Sequence, residues 1–196
     1  MEIKFDKILE GDFITLRKTQ VEDAAEIYSW RTGLGGQFMR QPDNYSIQSQ
    51  EEWIRGRGNN EINYIIFDNI SGKKVGAIGI YDVNPVDQVS NVGRLIIADE
   101  YYGKSTPYGL EALLLSYDYV FNKMNFRKIT GDILANNQAM HKLQVFLGMV
   151  QEGYLKNHVI INGQLHDLYI MSIFKEQFNT VYSKKVRFLL QNFKKG

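Results

Sequence analysis

Apolar and polar positions along this chain follow two rhythms, an alternation of two and a helical period near 3.6, and their order predicts its elements. Phe13-Ile14-Thr15-Leu16-Arg17 alternates and predicts a first strand. Thr19-Gln20-Val21-Glu22 has the form of a capping box, and Ala24, Ala25, Ile27 and Tyr28 carry a helix on to Trp30. Gly33-Leu34-Gly35-Gly36 stops it, and a segment to Tyr45 follows. Ser49-Gln50-Glu51-Glu52 predicts the start of a second helix around Trp53 and Ile54. Ile62–Asp68 and Val75–Tyr81 read as a hairpin turned at 69–73. A loop over 82–90 then leads into the stretch that organises the chain.

That stretch is 92–121. An apolar run, Leu95 to Ala98, meets a polar loop holding Gly103, Lys104, Ser105, Thr106 and Gly109. A helix follows with Leu110, Leu113, Leu114, Tyr117 and Phe121 on one face, and the aromatic members read as core. Small residues let main-chain N–H groups approach an anion, and a helix N-terminus adds unsatisfied donors and a positive dipole end. A phosphate-bearing ligand is therefore expected here, against the plainer reading of an ordinary strand-to-helix turn. Lys128–Leu134 predicts a further strand, Asn136-Asn137 a turn or cap, and Gln138–Leu147 a helix stopped by Gly148. Glu152–Ile161 and Leu165–Phe174 flank Asn162-Gly163, a dipeptide suited to a tight hairpin turn. Hairpins, then strand–helix alternation, then a closing hairpin predict an α/β fold with a mixed sheet.

Composition narrows the function. With 196 residues, 44% of them hydrophobic, the chain is long enough for one domain with a sizeable core. A net charge of +1 gives no global field toward nucleic acid. The absence of cysteine removes disulfides, thiolate metal sites and a cysteine nucleophile, and with three histidines no metal site is expected. No apolar run reaches signal-peptide or membrane-spanning length, so a soluble, cytoplasmic protein without a membrane span is expected. Aromatic residues make up 13% of the chain, enough that some are expected to line a pocket or interface.

Four pieces, in this order, resemble the GCN5-related N-acetyltransferase (GNAT) superfamily, in the branch of ribosomal-protein N-terminal and amino-sugar N-acetyltransferases. They are IIADEYYGKS, LEALLLSYDYVFNKMNFRKITGDILANN, NQAMHKLQVFLGMVQEG and LKNHVIINGQLHDLYIMSIFKEQF. The resemblance runs from about Ile14 to Phe174 and implies a mostly antiparallel central sheet, splayed at the cofactor strand and flanked by helices. It assigns 1–175 to a single acetyltransferase domain and leaves 176–196 as a basic helical extension. It also implies acetyl transfer from acetyl-CoA to a primary amine, with no metal. By the same likeness, main chain at Ile97 and Ala98 holds the pantetheine, the loop Gly103–Gly109 holds the pyrophosphate, and Asn137 contacts the cofactor. The chain departs from the family at Tyr102, Ser105 and Pro107 in the loop, and at Gln144, where many members place an acidic tyrosine.

The chemistry needs a base, because an alkylamine is protonated at neutral pH, and a donor near the thioester oxygen. The main-chain N–H of Ile97 can serve as that donor. Candidate bases are Asp82, at the end of a strand beside the cofactor strand, and His158 on the closing hairpin. His166 and Asp167 are sequence neighbours on a strand and point to opposite faces, so they read as structural. Trp30-Arg31 and Phe38-Met39-Arg40 resemble the acceptor-side loop of enzymes acting on nucleotide-linked amino sugars. Arginines can fork onto a diphosphate while aromatic rings stack on a sugar or base. Trp30, Arg31, Met39 and Arg40 are thus the expected acceptor contacts, and a small or nucleotide-linked amino sugar the expected acceptor. The alternatives are a protein N-terminus, a polyamine or an antibiotic. From another class, a non-catalytic acyl-CoA-binding regulatory module remains open. The tail after Glu176 carries Lys184, Lys185, Arg187, Lys194 and Lys195 among Phe188, Leu189, Leu190 and Phe193. It reads as a helix packed on the domain or a second copy, with attachment to anionic lipid as the alternative. A homodimer is possible.

Overall fold

The structure, a computed structural model, describes residues 3–194. Its strands are β1 (Ile8–Glu10), β2 (Ile14–Lys18), β3 (Ile62–Asp68), β4 (Lys74–Asn84), β5 (Val89–Ile97), β6 (Lys128–Leu134), β7 (Val150–Ile161) and β8 (Gln164–Phe174). Among the described residues they form one sheet in the order β1-β2-β3-β4-β5-β6-β8-β7. Every neighbouring pair is antiparallel except β5 and β6. The helices are α1 (Ala24–Thr32), α2 (Ile47–Arg55), α3 (Tyr108–Asp118), α4 (Gln138–Leu147), α5 (Lys175–Gln177) and α6 (Ser183–Gln191). The mixed α/β architecture expected from the alternation is present.

The β5–β6 pair positions the site. Their ladder lasts only three registers, Val89 with Lys128, Ser90 with Ile129 and Asn91 with Thr130. Beyond it the strands part, although β6 stays paired with β8 through Leu134 and Leu168. A bulge helps to separate them. Between the pairs Ala77–Ile96 and Gly79–Gly93, β5 holds one extra residue, and Arg94 there takes a φ of 54°. Such an insertion bends and twists its strand. A second bulge lies in β4, where Asp82 has a φ of 49° between the pairs Tyr81–Asn91 and Asn84–Val89. The loop expected over 82–90 is therefore mostly strand, with only Pro85 to Gln88 as the turn.

Local signals shifted elsewhere. The cap before α1 is closed by Asp23 rather than Glu22, its carboxylate accepting the Gln20 N–H at 2.7 Å. The cap of α2 is Ser46, whose hydroxyl accepts from the Ser49 N–H at 3.1 Å, three residues before the expected start. Asn162 (φ 50°) and Gly163 (φ 76°) both take left-handed conformations in the closing hairpin, as a tight turn of that hand requires.

Two apolar clusters flank the sheet. The smaller joins Ile27 and Trp30 of α1 to Ile65, Ile96 and Ala98. The larger packs α3 on the opposite face, with Ala112, Leu113, Leu114, Tyr117, Val120 and Phe121 buried. The C-terminal helix belongs to it too. Phe178, Tyr182, Val186 and Leu190, spaced by four, are buried on that side, and Tyr182 stacks on Tyr117 at 4.8 Å between ring centroids. Of the basic residues of this tail, Lys184 and Arg187 are exposed, Lys185 donates to the Phe146 carbonyl at 2.6 Å, Lys194 pairs with Asp12 at 2.7 Å, and Lys195 lies outside the described residues. Among the described residues no helix is long and apolar enough to cross a membrane.

Candidate active site

The parting of β5 and β6 opens a cavity of about 660 Å³ that draws its walls from both faces of the sheet. From the α3 side come Leu113, Tyr117 and Gln144; from the α1 side come Arg31, Phe38, Met39 and Arg40. The strand edges 92–95 and 131–134 form the waist between them. Two molecules can therefore meet at the gap from opposite faces.

Of the residues expected to hold a cofactor, Ile97 and Asn137 line this cavity. Asn137 caps α4 by accepting the Met140 N–H on Oδ1 at 3.2 Å, which leaves its Nδ2 to donate. Ala98 is different. It is 4% exposed, its N–H donates to the Val75 carbonyl at 2.9 Å, and its carbonyl accepts the Tyr101 N–H at 2.9 Å. Its main-chain N–H is already committed. Gly103 takes a φ of 72° in the turn before α3, a conformation that favours glycine. Lys104, Ser105 and Thr106 follow as an accessible run. Pro107 occupies the cap position of α3 and offers no side-chain cap, so the first-turn N–H groups are left to an outside acceptor. A Cβ built at Gly109 would meet Leu95 at 3.7 Å, ordinary contact. Packing does not force glycine there.

The first turn of α3 is anchored by Glu111. Its buried carboxylate accepts the N–H groups of Asp12 (2.9 Å), Phe13 (2.8 Å) and Ile14 (2.8 Å) at the start of β2. Burial raises its pKa, opposed by those three donors.

On the acceptor side, Arg31, Met39 and Arg40 line the cavity, whereas Trp30 is a core residue at 7% exposure. Arg31 donates to the Arg40 carbonyl at 2.7 Å and to the Gln41 side chain at 3.1 Å, and has no carboxylate partner among the described residues. Burial pulls its pKa below the ordinary value, and the nearby Arg94 adds to that. The glycine loop is strapped to the end of β5. Asp99 accepts the Leu34 N–H at 3.0 Å and the Gly35 N–H at 3.2 Å, and Gln37 donates to the Tyr102 hydroxyl at 2.6 Å. A Cβ at Gly35 would fall 2.4 Å from the Ile97 carbonyl, so backbone forces glycine there, whereas a Cβ at Gly33 would fall 2.1 Å from the Asp99 carboxylate and displace that side chain from its bonds to the loop. The loops expected to hold the two substrates thus touch.

Neither Asp82 nor His158 lines the cavity. Asp82 is accessible and accepts the Asn91 Nδ2 at 2.9 Å. Both lie close enough to act on a third group, Asp132 of β6, which does line the cavity near the point where the strands part. Burial raises the Asp132 pKa, His158 pulls it down and Asp82 pushes it up. Tyr81, whose hydroxyl lies against Gly93, faces the same space with its pKa pushed up to about 12 by burial, Arg94 opposing. Sequence reasoning passed over Asp132. Its signal was a lone acid inside the otherwise apolar and small strand Lys128-Ile129-Thr130-Gly131-Asp132-Ile133-Leu134. Gln144 is buried and accepts the Tyr182 hydroxyl at 3.2 Å, so the family's tyrosine position is tied to the C-terminal helix. Among the described residues no cluster of acids and histidines could hold a metal ion.

Comparison with known proteins agrees with this geometry. The acetyltransferase (GNAT) domain family matches residues 14–150, more than half of the chain. The probable N-acetyltransferase YjcK of Bacillus subtilis is 24% identical over 177 residues, 85% of this chain and 96% of that protein. The spermidine N(1)-acetyltransferase of Vibrio cholerae is 26% identical over 104 residues, 53% of this chain and 58% of that protein. A GCN5-related N-acetyltransferase from Brucella melitensis shares the fold with a TM-score of 0.79 at 17% identity, covering 94% of this chain and 85% of its own. The Vibrio cholerae spermidine N-acetyltransferase solved with CoA and spermine does so with a TM-score of 0.77 at 22% identity, covering 87% and 100%. With the family match spanning the parted strands, the α3 loop and α4, the chain belongs to the GNAT acetyltransferases and is an acetyl-CoA-dependent N-acetyltransferase.

Proposed function

We propose that acetyl-CoA enters the gap from the α3 side and that the acceptor is a small amine carrying an anionic group, of which a nucleotide-linked amino sugar is one kind. The observation that carries this reading is the through-going gap between β5 and β6, with a helix N-terminus that lacks a side-chain cap at one end and, at the other, arginines that have no carboxylate partner among the described residues. Acetyl-CoA supplies the acetyl thioester. The free edge of β5 from Leu95 to Ile97 suits the amides of the pantetheine, which it can pair as a strand would. First-turn N–H groups of α3, with Gly103 to Gly109, suit the diphosphate, and Asn137 Nδ2 offers one further donor.

Asp132 is the proposed base. It takes one proton from the acceptor ammonium, so that the neutral nitrogen can bond to the acetyl carbon as the carbon–sulfur bond breaks. Coenzyme A leaves as its thiolate and takes up the second proton that the nitrogen sheds on becoming an amide. The raised pKa of Asp132 suits its task better than an ordinary surface carboxylate. Asp82 and His158 act through their charge on Asp132. Tyr81 is in position to donate a hydrogen bond within the same space.

The charge of the cavity wall bears on the acceptor. Arg31, Arg40 and Arg94 line it against Asp132, and Arg94 is the one paired, with Glu61. A polycation would meet two guanidinium groups that have no carboxylate partner among the described residues, while an acceptor with a phosphate or carboxylate would be held by them. A polyamine is the second reading, supported by the name of the Vibrio cholerae relative and by the Asp82–Asp132 pair. A thiol-release assay over an amine panel separates the two. The expected result is a higher kcat/KM for anionic amino sugars than for spermidine. Arg31→Ala should raise the acceptor KM about tenfold or more, with little change in acetyl-CoA affinity. Preference for spermidine with an unmoved KM in Arg31→Ala would shift the assignment to polyamines.

A further inference from the structure

The acceptor nitrogen sheds two protons on the way from ammonium to amide. Asp132 takes one, and the other has to reach the sulfur as the carbon–sulfur bond breaks. Among the described residues that line the cavity, Asp132 is the one acid, and there is no histidine, lysine or cysteine. Arginine keeps its proton at any working pH. Three tyrosines remain, Tyr81, Tyr102 and Tyr117. Tyr102 sits in the loop at the diphosphate end, and its hydroxyl accepts from Gln37 at 2.6 Å. Tyr117 is 1% exposed, and its hydroxyl donates to the Met149 sulfur at 3.4 Å. The Tyr81 hydroxyl makes no hydrogen bond among the described residues, and it is not one of the buried partnerless atoms either. It is a free donor at the waist of the cavity.

Its surroundings fix where it stands. A Cβ on Gly93 would lie 3.0 Å from this hydroxyl, so the glycine leaves the room it occupies. Asp132 of β6 and Tyr117 of α3 are both close enough for their charges to act on the phenol or be acted on by it. Burial pushes the Tyr81 pKa up to about 12, against Arg94, so the phenol is neutral throughout the working range.

The ring is held by Arg94, the extra residue of the β5 bulge. Its guanidinium lies 4.1 Å from the Tyr81 ring centroid and 5.3 Å from that of Trp53. It also donates to Asn63 Oδ1 at 3.1 Å and pairs with Glu61. A left-handed backbone at a residue other than glycine persists only where its surroundings hold it, and here four side chains do. The clamp grips the ring and leaves the hydroxyl unengaged.

We propose that Tyr81 is the proton relay of acetyl transfer and that the Glu61–Arg94 pair positions it. The phenol gives its proton to the departing sulfur while its oxygen takes the second proton from the nitrogen. Tyr81 thus ends neutral, as it began, and Asp132 returns the first proton to water. The assignment rests on acetyl transfer in the gap beside Asp132.

Tyr81→Phe removes only an oxygen that bonds nothing in the protein, so Tm and acetyl-CoA affinity should be unchanged. Single-turnover thiol release, with the best acceptor of the amine panel, should slow at least about tenfold. A readout without turnover comes from isothermal titration at about pH 9, where a thiol is largely ionised. There Tyr81→Phe should weaken coenzyme A about tenfold and leave desulfo-coenzyme A unaffected. Arg94→Gln should slow thiol release about threefold or more in the wild type and no further in Tyr81→Phe, as a residue acting through the phenol does. The acidic limb of kcat/KM should persist in Tyr81→Phe. That limb reports the base, so the two assignments fail separately. Thiol release within about twofold of the wild type, a fall in Tm that accompanies the slower rate, or equal weakening of both coenzymes overturns the relay. An Arg94→Gln effect that persists in full in Tyr81→Phe overturns the positioning.

Discussion

Asp132→Asn should lower kcat/KM by about 10²–10⁴-fold, leave acetyl-CoA affinity unchanged and not lower the melting temperature. The two halves of that result rest on the same environment. Asp132 lines the cavity where the strands part, and burial raises its pKa. A carboxyl whose pKa is raised on folding contributes stability that is present below its ordinary pKa of 3.8. That contribution is lost as pH rises through the raised folded value. Asp132 is solvent-accessible, so at neutral pH its charged form costs the folded state little, and the amide leaves stability essentially unchanged. A structural carboxylate would show the opposite, with stability falling and activity following it. The pH profile adds a second readout. Wild-type kcat/KM should fall on acidification through a pKa above the ordinary carboxylate value, and Asp132→Asn should lose that limb. Full activity in the variant would return the search for the base to Asp82 and His158.

The second large effect is on stability. Glu111→Gln should destabilise the fold by about 3 kcal/mol in urea unfolding, equivalent to about 6–12 °C in Tm for a domain of this size. The carboxylate accepts three main-chain N–H groups at the entrance to β2. An amide can turn only one oxygen toward them, so its NH2 group faces an N–H donor in a buried place. The cost comes from that unmatched donor rather than from the lost charge. Gly11 is bound into the same arrangement, since a Cβ there would lie 2.7 Å from the Glu111 carboxyl carbon. Because Glu111 fixes the first turn of α3, acetyl-CoA affinity should fall along with stability. A loss below about 1 kcal/mol would mean that water or a rearranged loop satisfies those donors.

What the sequence could show was whatever depends on local chemistry. The strands Ile62–Asp68 and Lys128–Leu134 and the helix Gln138–Leu147 appear with the boundaries their patterns predict, since dense β-branched runs or a clean cap and stop define them. Gly148 takes a φ of 117° for the same reason. The three-residue β1 was missed because so short a run carries no periodicity and is held by its pairing with β2. Both bulges were missed as well. A bulge is a property of two strands in register, and nothing in Asp82 or Arg94 alone announces an extra residue. The site divides along the same line. Arg31, Met39, Arg40, Ile97 and Asn137 gather round one cavity, while Trp30 and Ala98 turn into the core beside it. Asp132, Asp99 and Glu111 draw their importance from partners that are distant in sequence, so no local motif points to them.

The central claim is that the diphosphate of acetyl-CoA sits on the first turn of α3 beside the parted strands. Gly109→Glu tests it without disturbing the fold. A Cβ there meets only ordinary contacts, and an acid in the first turn of a helix is favourable to the helix itself. The same carboxylate would stand against the diphosphate. Isothermal titration of acetyl-CoA should show one equivalent bound to the wild type, at least about tenfold weaker in Gly109→Glu, with an unchanged or higher Tm. Equal affinity in a folded variant would place the cofactor elsewhere and contradict the account.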